Sequence, residues 1–303
     1  MSAKQADTMT AGSGMVKSKT NKAIDVFVVL LSIIAVLACL LPMLNVAATS
    51  LSSELAIINR QVFFWPVGWD FSAYKGVFND ASMMRSLGLT VVLTAVSAAF
   101  SMAMTILCAY PLSQKKFVGR GLFNTIVILT MYFNAGIIPD YLNIKRMGLL
   151  DNFWVMVLPM GISVFNMIIL KSFFLGIPDS LQESAELDGA SHWVILSRIY
   201  LPLSVPALAT LTLFYAVSRW NGFQDARIYI SSPELYPIQF KLYQIISNLS
   251  SVEANMEGVA GTKVATESMK SASIMFATLP ILLIYPWLQR YFVSGVTVGA
   301  VKG

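Results

Sequence analysis

A chain of 303 residues that is 56% apolar and only 12% charged lies far from soluble domains, in which roughly 25% of residues carry charge. Its net charge of +5 is mild, and suits Lys and Arg beside lipid headgroups better than a nucleic-acid surface. With a mean hydropathy of +0.67, it reads as a membrane protein, so the first task is to find stretches able to cross a hydrocarbon core, about 20 residues of helix each.

Residues 1–22 are small and polar and read as a flexible tail. Six stretches free of Asp, Glu, Lys and Arg follow, at 26–53, 86–114, 121–139, 152–170, 199–218 and 271–289. Backbone groups inside a bilayer must be satisfied within each segment, which makes these six transmembrane helices and the chain an all-α integral membrane protein. Residues 23–303 form one six-helix transmembrane domain. The first run starts too late and runs too long for a cleaved signal peptide, so it is taken as a retained helix. Cys39 and Cys108 fall in the first two runs and read as packing residues, not as a disulfide or metal pair.

Lys17, Lys19 and Lys22 precede the first run, and Lys115, Lys116 and Arg120 follow the second. The positive-inside rule then places both termini and the loop 178–202 in the cytoplasm, and the long loop 219–270 outside. "DFSAY" at 70–74 reads as a capped entry into a short helix, and "FKLYQIISNLSSV" as an amphipathic stretch. A small-residue break spans 258–262.

The segment "ESAELDGASHWVILSRIYLP", Glu183 to Pro202, holds three acidic residues in six positions and the only histidine, His192. Ser180 and Glu183 have the spacing of a capping box, and Gly189 permits the left-handed turn that stops a helix. A second short helix is expected from Ser191 to Arg198. Pro202 disfavours helix at Leu201 and sets an angle into the fifth span. Ala185 and Gly189 are small enough to let another backbone approach.

Missing residues narrow the chemistry. A lone His192 leaves no ligand set for a zinc site, and "GVAGTK" at 258–263 lacks the spacing of a nucleotide-binding loop. The six runs carry no Asp, Glu, Lys, Arg or His, which lowers the standing of the rival reading, an ion-coupled secondary carrier of small polar solutes. A membrane-embedded enzyme, a second rival, lacks a catalytic cluster. Neither a cofactor nor a metal is expected on this chain.

The pattern Glu183-x-Ala185-x₃-Gly189-x₉-Ile199-x-Leu201-Pro202 resembles the "EAA" signature of permease subunits of bacterial ABC importers. With each residue type used at about 5–10%, six such positions coincide by chance about once in ten million starting sites. Ser184 replaces the usual Ala. The tail "QRYFVSGVTVGAVKG" resembles the terminus of maltose-type (carbohydrate uptake family 1) permeases, and "W-N-x-F" at Trp220–Phe223 recurs in sugar permeases. The stretch after it is similar to the LplC-like oligosaccharide branch and, within it, resembles a permease subunit of an alginate-type importer.

The resemblance implies a type I importer permease with a coupling helix between helices 4 and 5, in which Glu183, Ser184, Ala185, Asp188, Gly189 and Pro202 engage an ATPase. It implies a bacterial inner-membrane assembly with a second related permease, two cytoplasmic ATPase subunits that hold ATP and Mg, and an extracytoplasmic solute-binding protein. The cargo would be an oligosaccharide, including acidic ones. Tyr132, Asn134, Asn166, Tyr215, Trp220 and Asn221 are candidates to line its path. Arg219 is the candidate to meet a uronate carboxylate.

Overall fold

The computed structural model describes residues 19–133, 135–255 and 267–284. Asn134, residues 1–18, the break at 258–262 and the tail 289–303 lie outside the described residues. Helix α1 (Lys19–Ser50) already begins within the stretch expected to be tail. After it come α2 (Glu54–Ile58), α3 (Ser72–Asn79), α4 (Ala81–Ser113), α5 (Arg120–Tyr132), α6 (Ile137–Arg146) and α7 (Val164–Leu175). Next are α8 (Asp179–Leu187), α9 (His192–Ile195), α10 (Leu201–Leu203), α11 (Val205–Asn221), α12 (Gln224–Tyr229) and α13 (Ile238–Asn255). The last described helix is α14 (Glu267–Ile284). Among the described residues the only β pairing is an isolated bridge between Ser52 and Trp69.

Three helices, Ile24–Ser50, Ala81–Ser113 and Glu267–Ile284, are each long and apolar enough to cross a bilayer, and the number reaches six if each of three bent pairs is one span. Helix α4 is the mast of the fold, with α7 and α11 packed along it. Its inward face carries Ser86, Thr90, Thr94, Ser97, Ser101 and Thr105, spaced by three or four residues so that all lie on one side. Five of them are buried, Thr94 being the exception. Small side chains there let neighbouring backbones approach closely. Their hydroxyls also tie elements together: Thr90 Oγ1 accepts from the backbone N–H of Ile238 at 2.8 Å, and Thr105 Oγ1 meets Tyr215 Oη at 2.6 Å.

The fourth apolar run departs from expectation. In place of one helix over 152–170, a 3₁₀ turn at Phe153–Met156 is followed by irregular chain, and α7 starts only at Val164. Pro159 and Gly161 lie in the interruption. A Cβ on Gly161 would sit 2.6 Å from Cε1 of Phe100, so only glycine lets the chain pass α4 this closely. Irregular backbone at membrane depth is tolerated where protein covers it or where it lines a cavity, and Val155, Met156 and Val157 are fully buried. Helix α7 also runs past the expected span end to include Lys171, whose Nζ donates to Asn124 Oδ1 at 2.6 Å.

The two cysteines divide. Cys108 packs against the main core cluster as expected, whereas Cys39, on α1, is exposed and free. The capped entry at "DFSAY" is present: Asp70 accepts from the backbone N–H of Ser72 at 2.8 Å and from its hydroxyl at 2.9 Å.

Candidate functional site

The C-terminal end of α4 carries the loop 178–202. Behind α8, Ala185 and Ala190 pack on the core cluster formed by α4, α7 and α11. Lys115 pairs with Asp179, and Lys116 Nζ donates to Glu186 Oε2 at 2.8 Å. Gln182 is the hub: its amide N donates to Gln114 Oε1 at 2.7 Å and Glu186 Oε1 at 2.8 Å, while its oxygen accepts from Tyr200 Oη at 2.6 Å. The bond from Lys116 holds the Glu186 carboxyl below its ordinary range, with Gln182 adding to the effect. Reciprocally, Glu186 pushes Lys116 upward. Under the loop, Tyr110, Phe174 and Tyr200 meet edge to face with centroids 5.1–6.4 Å apart, and His192 Nδ1 lies 3.2 Å from Tyr110 Oη. A cavity of about 820 Å³ opens between α4 and α9, lined in part by Tyr110, Gln114, Glu186, His192 and Trp193.

The front of α8 is left free. Glu183, Ser184, Leu187, Asp188 and Gly189 are exposed, Leu187 at 89%. Gly189 has φ +76°, and the backbone N–H groups of Gly189 and Ala190 donate to the carbonyls of Glu186 and Ala185. That bond pair is a complete Schellman stop.

Three local expectations change here. Ala185 faces its own core, so its small size serves packing within the chain. Ser180 is not the cap: the helix starts at Asp179 behind Pro178, whose side chain has no acceptor to offer, and the Asp179 carboxylate pairs with Lys115. Leu201 and Pro202 are helical, in α10. A π-helical segment, Leu196–Tyr200, precedes them; its wider turn accommodates a proline that lacks an N–H and would otherwise crowd the preceding turn. The bend into α11 is real, at 83°, but falls at Ser204.

Halfway up α4 lies a second feature, about 25 Å from Gln114 at 1.5 Å per helical residue. A cavity of about 530 Å³ is lined by Ser97 and Ser101 of α4, Asn166 of α7, Tyr215 and Arg219 of α11, and Asp225 of α12, with Met156 and Met160 of the irregular segment. Arg219 and Asp225 are both about nine-tenths buried and form a two-pronged ion pair. Arg219 also donates to the carbonyls of Met156 and Gly222 at 2.9 Å each, satisfying backbone freed by two chain breaks. It is therefore already neutralised and is not a spare cation for a carboxylate.

Of the residues expected to line a path, Asn166 and Tyr215 come together here. The Tyr215 hydroxyl is occupied by Thr105 and by the backbone N–H of Ser163. Trp220 faces the other way, its Nε1 donating to the Ala277 carbonyl of α14 at 3.3 Å. Asn221 is exposed and bonds back to Val217, Tyr132 is 74% exposed at the end of α5, and Asn134 is outside the described residues. Ser97, Ser101 and Asp225 were missed, although the Ser/Thr spacing along α4 pointed to the first two.

A family model described as "Binding-protein-dependent transport system inner membrane component" matches residues 8–298. The polygalacturonan/rhamnogalacturonan transport system permease protein YtcP of Bacillus subtilis (strain 168) is 37% identical over 284 residues, covering 93% of this chain and 99% of its own. Protein LplC of the same organism is 40% identical over 264 residues, 87% of this chain and 90% of its own. A crystal structure of a bacterial ABC transporter involved in the import of the acidic polysaccharide alginate superposes with a TM-score of 0.81. That chain is 33% identical, with 91% of this chain and 98% of that one covered.

Proposed function

The chain belongs to the binding-protein-dependent transport system inner membrane component family, and from that premise we propose that it is the permease subunit of an ATP-driven importer of oligosaccharides, acidic ones foremost. It is a transport subunit rather than an enzyme. The acidic cargo is drawn from the pectic and alginate substrates named for its relatives.

The observation that carries the mechanism is the two-sidedness of α8. Its back is braced by Lys115, Lys116, Gln114 and Tyr200, while its front presents Leu187 among Glu183, Ser184 and Asp188. A helix held this way moves with α4 rather than against it, so force applied at its front reaches the bundle. In this reading the front docks on one of two cytoplasmic ATPase subunits, which hold ATP and Mg. Their closure draws this helix and that of a second, related permease together and turns the cavity outward, where a binding protein delivers cargo. The loop 178–202 and both termini are then cytoplasmic. An ion-coupled carrier, by contrast, would transport without any ATPase partner.

The test is ATP hydrolysis by the reconstituted complex plus binding protein, challenged with uronate oligomers, neutral glucans and peptides. Stimulation by uronate oligomers is the expected result. Stimulation by peptides alone would sink the saccharide reading, and stimulation by neutral glucans alone would sink the acidic one.

A further inference from the structure

The cavity of about 820 Å³ between α4 and α9 changes character along its length. Leu107, Phe117, Val118, Trp193 and Leu196 form one part of its wall, and Lys116, Glu186, Ser191 and His192 another. Two of the apolar residues stand well out of the fold, Val118 at 90% exposure and Trp193 at 68%. Exposed Trp suits a membrane–water boundary, and the volume falls within the range of small-molecule sites.

Depth places the cavity at that boundary. The charge-free run between Arg85 and Lys115 makes about 43 Å of helix at 1.5 Å per residue. That is the thickness of a bilayer with its headgroup layers, about 40–45 Å. Leu107 then lies about 12 Å inside the end of the run, among acyl chains, while Lys116 just past it is level with the headgroups. The cavity crosses from one zone to the other.

The polar part has a definite charge. With His192 neutral, Lys116 and Glu186 are the charged residues among those described on its wall, and they pair at 2.8 Å. Lys116 Nζ spends one of its three N–H groups on that bond. Glu186 accepts from Lys116 and Gln182, one bond per oxygen, and each oxygen has room for another. Ser191 precedes α9 without a side-chain cap bond. A zwitterion can add to this pair without breaking it. A phosphate takes a spare N–H of Lys116 and the Ser191 hydroxyl, and a primary ammonium donates to Glu186. A purely anionic head would meet the Glu186 carboxylate, and a quaternary ammonium has no N–H to give it. Gln182 and Glu186 line the cavity, whereas Ser184, Leu187 and Asp188 on the front of α8 do not. What fills the cavity is therefore separate from what docks on that front.

We propose that this cavity binds a zwitterionic aminophospholipid of the adjacent leaflet, with an acyl chain along Leu107 and Trp193 and the headgroup on Lys116 and Glu186. A head so placed touches the pair that braces α8, which makes the lipid part of the handle.

The experiment places the full chain in nanodiscs of phosphatidylcholine. Phosphatidylethanolamine, phosphatidylcholine or phosphatidylglycerol with brominated acyl chains is then titrated in. Quenching of Trp193 is read as the difference between the wild type and Trp193→Phe. Brominated phosphatidylethanolamine should reach half-maximal quenching at about one-fifth of the mole fraction the other two need, the worth of one hydrogen bond. Glu186→Gln, which leaves Lys116 unopposed, should reverse the order in favour of phosphatidylglycerol. The wild-type preference should persist in the assembled complex, ATPase subunits included. Three equal curves would mean bulk lipid, and absent quenching would mean water or protein in the cavity; either overturns the site. Quenching lost when the ATPase binds would hand the cavity to that subunit, with the same result. An order unmoved by Glu186→Gln, or a wild-type preference for phosphatidylglycerol, would overturn the charge pairing that defines the ligand.

Discussion

The two ends of α4 handle polar groups in opposite ways. At its C-terminal end Gln114, Gln182, Glu186, Lys116 and Tyr200 join one network in which the Gln182 amide uses both its nitrogen and its oxygen. Halfway up, Ser97 Oγ and Arg219 Nε are sealed in the packing without partners. Satisfied networks rigidify, whereas an unpaired buried polar group costs stability. One helix thus carries a stiff handle at one end and an unsatisfied stretch halfway along.

The largest way to break this contrast is at the unsatisfied stretch. Asp225→Ala leaves a buried guanidinium without its counter-charge, which costs about 3–5 kcal/mol. The purified chain in lipid nanodiscs should melt markedly earlier, and protease sensitivity should appear first in the interrupted segment 157–163, which follows the Met156 carbonyl that Arg219 holds. A melting point equal to that of the wild type would mean the pair is ornamental.

Next comes the handle. Gly189→Val forces a β-branched residue to φ +76°, a conformation that costs roughly 1–2 kcal/mol for an L-residue. Nothing lies within 4 Å of the added Cβ, so the damage is to the stop and not to packing. The complex should still assemble in the membrane while saccharide-stimulated ATP hydrolysis and uptake are lost. Normal stimulation would remove α8 from the coupling role.

The smallest effect concerns pH. Glu186 is held below its ordinary value of 4.5 chiefly by Lys116, so its contribution is present above 4.5 and fades as pH falls through the lowered value. Lys116 is raised above 10.5, so its contribution is present below 10.5 and fades as pH climbs past the raised value. Lys116 is exposed and Glu186 only partly covered, so solvent screening keeps the effect slight. The melting difference between the wild type and Lys116→Met should therefore be flat from 4.5 to 10.5 and shrink outside that window. A slope near neutrality would mean that another group carries the contact.

Much of the handle could be read directly from residue order. Gly189 needed φ above zero and has it, and an acidic helix in a greasy chain had to face water. What escaped were choices made by tertiary partners. The helix starts one residue before the expected cap, Ser180, behind Pro178, and the Asp179 carboxylate pairs with Lys115, some sixty residues away. A π segment absorbed Pro202, moving the bend to Ser204. The unsatisfied stretch was less legible, because a run free of charge looks the same whether it is helix or covered irregular chain; Pro159 and Gly161 were the only marks of the break. The partnership of Arg219 with Asp225 bridges a glycine turn, and no periodicity announces it. The Ser/Thr face of α4 was visible at helical spacing, but its meaning depended on which hydroxyls found partners.

One further consequence concerns timing. None of the residues in the most apolar stretch of α1 is buried against the rest of the chain; only its last turn, with Ala48, Thr49 and Ser50, is covered. Of the described helices it leaves the ribosome before the others, and at about 5–20 residues per second the helices after it take many seconds to follow. Because α1 needs no later segment to shield it from lipid, it can enter the bilayer at once and wait. Its closing turn is the point at which the rest of the bundle is later fastened: the Ser50 hydroxyl meets Tyr74 Oη at 2.9 Å, and the Asp70 N–H donates to the carbonyl of Leu51, just past the helix. Synthesis and assembly part company in this helix: it anchors first and is fastened to the fold only when the segments after it arrive.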